Sequence, residues 1–468
     1  MKKNNPYLKE IEKVLPRILS LIDNDTSNDT YGLLDRLYWG WKLIDFPNGT
    51  PQGVINGFAR LWVNGIWPYE TKKELFINRI SSIIYAASKI TRYDGSLEEA
   101  FPYEGSYCVT ALIAYDTLVT IDLLTPELST VETNEWLNIV ESWINFLIKS
   151  DEEHALISNH LATAAAALFR WAHIADGRNS QNLARQKGEL LLKRILFFQS
   201  EKEGWFKEYE GADGGYQSLC TYYLADLLEN LKKYSNLENQ NEILIKKLSE
   251  ALEKSLDFLK YNVNPDGSFG GIHGSRNTRI YCPGGLELLS DKFLIARLIS
   301  KRMESSINNM EVVNLSTIDF GNLSPIFNSY CMAAVIWEKR KNNKDHLNIS
   351  SLNNKLPCDL EKTHTKYFPE TGIYIHSAKR QYTVISISKG GTVMHFRCNK
   401  LSLINCGVRA KINKLREVST QAWNIDNKFS LNKSSITITS QFYELKKSLP
   451  SPSKFIVLRI LGLSIFKI

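Results

Sequence analysis

The segment Asp213-Gly-Gly-Tyr-Gln-Ser-Leu-Cys-Thr-Tyr-Tyr223 passes from a glycine turn straight into an apolar helix, and two other breaks look like it. Asp94-Gly-Ser leads to Tyr107-Cys, and Asp266-Gly-Ser-Phe leads to Gly284-Gly, each ahead of another apolar helix. Asp and Gly end a periodic segment because Asp bonds nearby backbone N–H groups and Gly adopts positive φ without strain. Recurring loop-then-helix units predict a toroid of helical hairpins, with the loops before the inner helices lining a central cleft. A non-repetitive helical bundle is the competing arrangement.

Outward from these breaks, helical periodicity runs from Tyr7 to about Glu338. It covers Leu75 to Ile90, Tyr107 to Leu124, Thr133 to Lys149, Leu161 to Ile174, Leu183 to Gln199, Leu219 to Tyr234, Glu242 to Leu259 and Leu286 to Ile307. Arg340 to Asn354 breaks the pattern with charge and Asn and reads as a linker. Alternating or β-branched segments then appear at Tyr374 to His376, Tyr382 to Ser388, Thr392 to Arg397, Leu401 to Ile404 and Ser434 to Ser440, with Lys389-Gly390-Gly391 as a hairpin turn. The expected division is a helical domain over 1–340, a linker over 341–365 and a β domain over 366–468. The final stretch, Lys454 to Ile468, ends on an apolar run with no closing turn, which reads as an incomplete β domain.

The 468 residues carry 57 Lys+Arg against 50 Asp+Glu, a net charge of +7. With 43% hydrophobic and 23% charged residues, the composition excludes a disordered, collagenous or coiled-coil chain. Glu10, Glu12 and Lys13 interrupt any apolar run near the N-terminus, so no signal peptide is read there. Phe455 to Ile468 is shorter than a membrane span and contains Arg459 and Lys467. Seven cysteines, scattered without a CxxC pair, suggest neither a disulfide framework nor a zinc ribbon. The expectation is a cytoplasmic protein without a membrane or nucleic-acid partner. GxxxxGK[ST], HExxH, GxSxG and a strand-borne GxGxxG are all missing, which argues against nucleotide, zinc-protease and serine-hydrolase chemistry. No metal or cofactor is expected.

Three clusters carry chemistry-bearing side chains. Ser158-Asn159-His160 precedes the helix from Leu161, and a helix start with Asn and His suits an anionic group, although Ser and Asn are also ordinary caps. The loop from Glu208 to Tyr223 places Tyr216 and Tyr222 where loop becomes helix; a tyrosine serves as acid or base only when neighbours stabilise its phenolate, and otherwise packs as a core aromatic. The stretch from Phe269 to Glu287 offers His273, Arg276, Arg279 and Tyr281 among glycines, where two arginines three apart form a fork for carboxylate or sulfate or else a solvated surface turn.

Taken together, these clusters resemble the heparinase II/III-like polysaccharide lyases, a family with alginate lyase relatives. The resemblance covers nearly the whole chain from about residue 30. It implies a mainly α plus β fold, an incomplete (α/α) toroid of helical hairpins followed by an antiparallel β-sandwich. In that family an Asn-His pair ahead of a helix engages the uronate carboxylate, which points to Asn159 and His160. A later loop resembling DGxxxEGxxY ends on the catalytic tyrosine. Here it reads DGGYQSLCTY, which assigns Tyr222; the spacing from His160 instead favours Tyr216. Ser218-Leu219 stands where the family pattern has Glu-Gly. The segment from Gly274 to Leu289 is similar to a loop in family members from bacterial polysaccharide gene clusters, where the substrate is often undefined. His273, Arg276, Arg279 and Tyr281 are read as substrate-binding on their residue types. A further His or Tyr comes from the family's β domain, with Tyr374, His376 and His395 as candidates.

The implied activity is β-elimination on an acidic, uronate-containing polysaccharide or oligosaccharide. It requires neutralising the carboxylate, a base at C5 and an acid at the O4 leaving group. Two alternatives stay open. One is a non-catalytic glycan-binding or surface-polysaccharide biosynthesis protein of the same fold. The other is a glycoside hydrolase using two carboxylates among Glu104, Glu208, Glu210 and Asp213.

Overall fold

A helix that is apolar on every side has to be enclosed by others, whereas an amphipathic one buries a single stripe. Both kinds alternate along this chain, whose computed structural model describes residues 5–234, 241–342, 355–412, 416–432, 435–445 and 451–464. Helix α1 (Pro6–Leu21) and a short α2 (Arg36–Trp39) precede α3 (Ile55–Val63), α4 (Lys73–Lys89), α5 (Tyr107–Leu124), α6 (Thr130–Lys149), α7 (Ser158–Ile174) and α8 (Gln181–Phe197). They are followed by α9 (Gly214–Lys233), α10 (Asn241–Leu259), α11 (Pro283–Leu289), α12 (Leu294–Asn308) and α13 (Phe320–Asn342).

Helices α3, α5, α7, α9, α11 and α13 each pack on the next, and α13 returns to α3. They form the inner ring of an α/α toroid. The amphipathic helices lie outside: α6 on α5 and α7, α8 on α7, α10 on α9, α12 on α11, and α1 on α13. Tyr107–Glu127 is long and apolar enough to cross a membrane, but 78% of its apolar window is buried by the other helices, as an inner helix requires. One outer helix returns the chain between successive inner helices, so the inner helices point the same way and their N-terminal loops gather at one mouth.

The seam between the last and first inner helices combines apolar packing, with the Phe58 and Phe327 rings edge to face, and a pair of polar bonds. Asn328 on α13 accepts the Gly57 N–H at 2.9 Å and donates to the Gly53 carbonyl at 2.8 Å. The helices meet so closely that a Cβ on Gly57 would lie 2.5 Å from the Phe327 ring. Helix α1 spans the outside of this region: the Tyr7 hydroxyl donates to Glu287 at 2.6 Å, and Arg340 donates to the other oxygen of the same carboxylate.

Beyond the toroid, β1 (His364–Phe368), β2 (Ile373–Ala378), β3 (Gln381–Ser386), β4 (Thr392–Arg397) and β5 (Lys400–Asn405) form an antiparallel sheet in sequence order. The Lys389-Gly390-Gly391 turn joins β3 to β4, with φ of +63° and +82° at its two glycines, which explains the residue choice. β6 (Arg409–Ile412), β7 (Arg416–Ser419), β8 (Lys428–Leu431), β9 (Ile436–Thr439) and β10 (Tyr443–Glu444) make two further antiparallel sheets, ordered β10-β7-β6 and β8-β9. Of the expected linker, 343–354 lies outside the described residues, as do Ser434, expected to begin a strand, and the last residues, 465–468. The apolar C-terminal run forms a helix, α14 (Pro452–Ser464), where the sequence reading assigned it to the β domain.

Alternation along β2, β3 and β4 decides which side chains meet the toroid. Ile373, Ile375, Tyr382, Val384, Met394 and Phe396 share a core with Ala212, Phe258 and Ile272 of the helical region. This sheet therefore lies against the loops at the mouth.

Candidate functional site

The start of α7 is held by the loop that leads into α9. Ile157 and Glu208 form an isolated antiparallel bridge, and Ser158 donates its N–H and its hydroxyl to the Lys207 carbonyl at 3.1 and 2.7 Å. The next N–H, of Asn159, goes to one oxygen of Glu208 at 3.0 Å, and the Asn159 side-chain amide goes to the other at 2.8 Å. Glu208 is 0% exposed. Burial pushes its carboxyl up to about 8 against the opposing hydrogen bonds from Asn159.

Tyr209 follows with φ of +60°, a left-handed backbone that is uncommon for an aromatic residue, and the Arg276 guanidinium lies 4.1 Å from its ring centroid. Arg276 is exposed and makes no ion pair among the described residues. Asp213 fixes that arginine's loop. It caps α9 through the Tyr216 N–H at 3.2 Å, accepts the Arg276 N–H at 3.0 Å and the Thr278 N–H at 3.3 Å, and takes the Thr278 hydroxyl. The two glycines after Asp213 let the neighbouring loops in: a Cβ on Gly214 would lie 2.3 Å from Asn262 Oδ1, and one on Gly215 2.2 Å from Thr278 Oγ1.

The β domain closes the other side. Lys389 Nζ donates to the Ile272 carbonyl at 3.0 Å, the Gly274 carbonyl at 2.8 Å and the Asn277 side chain. Burial pulls this lysine down to about 8, and the nearby Asp213 charge opposes that shift. The Trp423 ring lies against Gly211, where a Cβ would approach it to 2.2 Å. Across the mouth, His160 in the first turn of α7 places Nδ1 2.6 Å from Glu152 Oε2. Tyr216 is half-buried; burial pushes its hydroxyl up to about 12, with Arg276 opposing. Among the described residues no group of three or more His, Cys, Asp and Glu is placed to hold a metal ion.

No family model and no curated protein matches this chain. Among solved structures it is similar to a Paenibacillus xanthan lyase, at 11% identity and a TM-score of 0.49, over 92% of this chain and 43% of that one. It thus spans less than half of that enzyme's length. It is also similar to heparinase III, at 11% identity and a TM-score of 0.45 over 94% and 74% of the two chains. A family 88 glycosyl hydrolase from Bacteroides vulgatus gives 10% identity and a TM-score of 0.44 over 71% and 98%.

The structure brings Asn159, His160, Tyr216 and Arg276 to the mouth, and Arg279 lies exposed on the same loop as Arg276. Several other expectations are corrected. Tyr222 lies nine residues into the helix after Asp213, about 13 Å down its axis, and is 0% exposed. It packs on Tyr115 and Tyr223 inside the ring, and its hydroxyl has no hydrogen-bond partner among the described residues, so a substrate at the mouth does not reach it. His273 is 3% exposed, with Nε2 3.3 Å from Asn262; burial, together with the Lys389 and Arg279 charges, pulls it down to about 4, which makes it a neutral packing residue. Tyr281 is a core aromatic with its ring 5.1 Å from Phe269. Tyr374, His376 and His395 have the opposite strand parity to the residues that meet the toroid, so their side chains point away from the mouth.

Asn159 is committed to Glu208, which makes it a support for the loop. Ser218 is buried, donating to the Gly215 carbonyl at 2.7 Å and accepting the Cys282 N–H at 3.0 Å, so a Ser at this position takes no carboxylate away from the mouth. Of the carboxylates weighed for hydrolysis, Glu208 and Asp213 are buried and engaged as above, Glu104 accepts two backbone N–H groups of its own loop, and Glu210 is exposed. Sequence reading missed Glu152, Tyr209, Lys389 and Trp423 as parts of the site. Only Lys389 carried a signal, as the first residue of a Lys-Gly-Gly turn.

Proposed function

We propose that the mouth of the toroid binds an acidic polysaccharide or oligosaccharide and cleaves it beside a uronate by β-elimination. The observation that carries this reading is Arg276: an exposed guanidinium without an ion pair among the described residues, lying over the Tyr209 ring beside Tyr216, on a loop held by Asp213 and Lys389. A planar fork in that setting suits a sugar carboxylate, and neutralising the carboxylate acidifies the C5 proton.

His160 is the base. Its Nε2 takes the C5 proton, the electron pair forms the C4–C5 double bond, and the C4–O4 bond breaks. Tyr216 is the acid: a hydroxyl held near 12 stays protonated at neutral pH and can give its proton to O4. The tyrosinate is then reprotonated from His160 or solvent, which restores both groups.

The test is absorbance in the near ultraviolet while the protein is incubated with alginate, heparan, chondroitin and hyaluronan. Elimination leaves an unsaturated uronate that absorbs there. Reducing ends without absorbance would establish hydrolysis instead, and binding with neither product would establish a glycan-binding protein.

A further inference from the structure

We infer that Glu152 is the positioning residue for His160: it fixes the imidazole, in its neutral form, as the tautomer that carries hydrogen on Nδ1, and His154 anchors Glu152 for that task. The use made of this tautomer rests on the reading of His160 as a base; the tautomer itself does not.

The Glu152 side chain is 1% exposed, yet the loop before α7 places donors on both oxygens. Oε2 faces His160 Nδ1 at 2.6 Å, while Oε1 faces His154 Nδ1 at 3.0 Å and the His154 backbone N–H at 3.1 Å. Burial alone would raise this carboxyl; the hydrogen bond and charge of His160 and the two bonds from His154 hold it below its ordinary value. An ionised carboxylate only accepts, so the hydrogen between Glu152 and His160 sits on the imidazole nitrogen. That leaves the lone pair of neutral His160 on Nε2, which has no hydrogen-bond partner among the described residues and is not enclosed. His160 is 18% exposed, whereas His154 is 74% exposed and lines a separate groove of about 620 Å³ with Glu104, Asp151, Glu153 and Lys187. The ionisable groups beside Glu152 are Tyr107, Cys108 and Tyr209, with Asp151 next in the chain paired to Arg194.

Glu152→Gln replaces the acceptor with a carboxamide whose N–H can donate to Nδ1, which favours the opposite tautomer. The experiment is ¹⁵N NMR of histidine-labelled full-length protein, read at a pH where the spectrum shows a neutral imidazole, with His160→Gln to assign its signals. The expected wild-type result is a protonated Nδ1 and a bare Nε2. Glu152→Gln should reverse that pattern and lower kcat on the order of 10³-fold or more with KM little changed. Glu152→Asp should keep the wild-type tautomer, and His154→Ala should keep it with broadened signals.

A hydrogen on Nε2 in the neutral wild-type protein overturns the proposal whether or not any variant folds. Retention of the wild-type pattern and kcat in folded Glu152→Gln overturns it as well. The expected tautomer in a protein that cleaves none of the glycans supports the positioning and removes the elimination reading instead.

Discussion

Glu208 receives two N–H bonds from Asn159, one on each oxygen, at 3.0 Å from the main chain and 2.8 Å from the side-chain amide, so a buried acid from one loop caps the helix that carries His160. The cap couples the mouth to pH. A carboxyl that titrates near 8 when folded and near its ordinary 4.5 when unfolded binds more protons in the folded state between those values. Its contribution to stability is therefore full below about pH 4.5 and is lost as pH rises through about 8. Glu208→Gln should remove this component, so the Tm difference between variant and wild type should shift in the variant's favour from pH 5 to pH 8, corresponding to a few kcal/mol. A pH-independent difference would show that Glu208 does not titrate in this window.

The two tyrosines of the α9 loop make a paired prediction. Tyr216→Phe should abolish elimination while leaving glycan binding within about twofold, because only the proton for the leaving group is removed. Tyr222→Phe should leave activity intact and change stability by no more than about 1 kcal/mol, since the hydroxyl it deletes is buried without a partner. Activity assays and chemical denaturation of both variants check this; full activity in Tyr216→Phe sinks the acid assignment.

Lys389 ties the β domain to the loop that carries Arg276. Lys389→Met leaves the Ile272 and Gly274 carbonyls without their donor, at a cost of about 1–3 kcal/mol for each buried group left unmade. The expected outcome is faster limited proteolysis within residues 270–278 and weaker binding of acidic glycans, with helical circular dichroism unchanged.

At the ring seam, Asn328→Ala removes both bonds to the first inner helix. A loss of about 2–4 kcal/mol in chemical denaturation is expected, with Asn328→Asp intermediate because it keeps the acceptor for the Gly57 N–H and loses the donor to Gly53. A loss below about 0.5 kcal/mol would mean that the seam is held by apolar packing alone.

Inner helices α5, α7 and α9 were readable because their signals are local, whereas α3 and α13 were not singled out within the helical region, and the single helix read from Leu286 to Ile307 is two, α11 and α12, broken between Leu289 and Leu294. The Lys389-Gly-Gly hairpin states a backbone requirement in its own residues, and Asp213 announces itself as the cap of α9, whereas Gly214 and Gly215 are small because distant loops pack on them. The identity of the mouth-facing tyrosine was not readable, since Tyr216 and Tyr222 are six residues apart and therefore about 240° around the same helix, and only packing against α11 decides which one is enclosed. A similar ambiguity misplaced Tyr374, His376 and His395: alternation defines two faces of a strand without saying which one meets the toroid. Glu152 sits in an aperiodic loop, where nothing in the residue order announces that its carboxylate will turn back toward His160.

Closure of the ring has a consequence for synthesis. The Gly57 N–H meets its acceptor on Asn328 across 271 residues, so the ribosome delivers the first inner helix long before the last one. Until α13 emerges, the apolar flank of α3 has no permanent cover, and the nascent chain carries an open end that chaperones or nonspecific contacts can occupy. A chain stopped short of residue 320 would keep five of the six inner helices and still present that open flank, which makes aggregation, more than loss of a single contact, the characteristic fate of C-terminal truncation within the toroid.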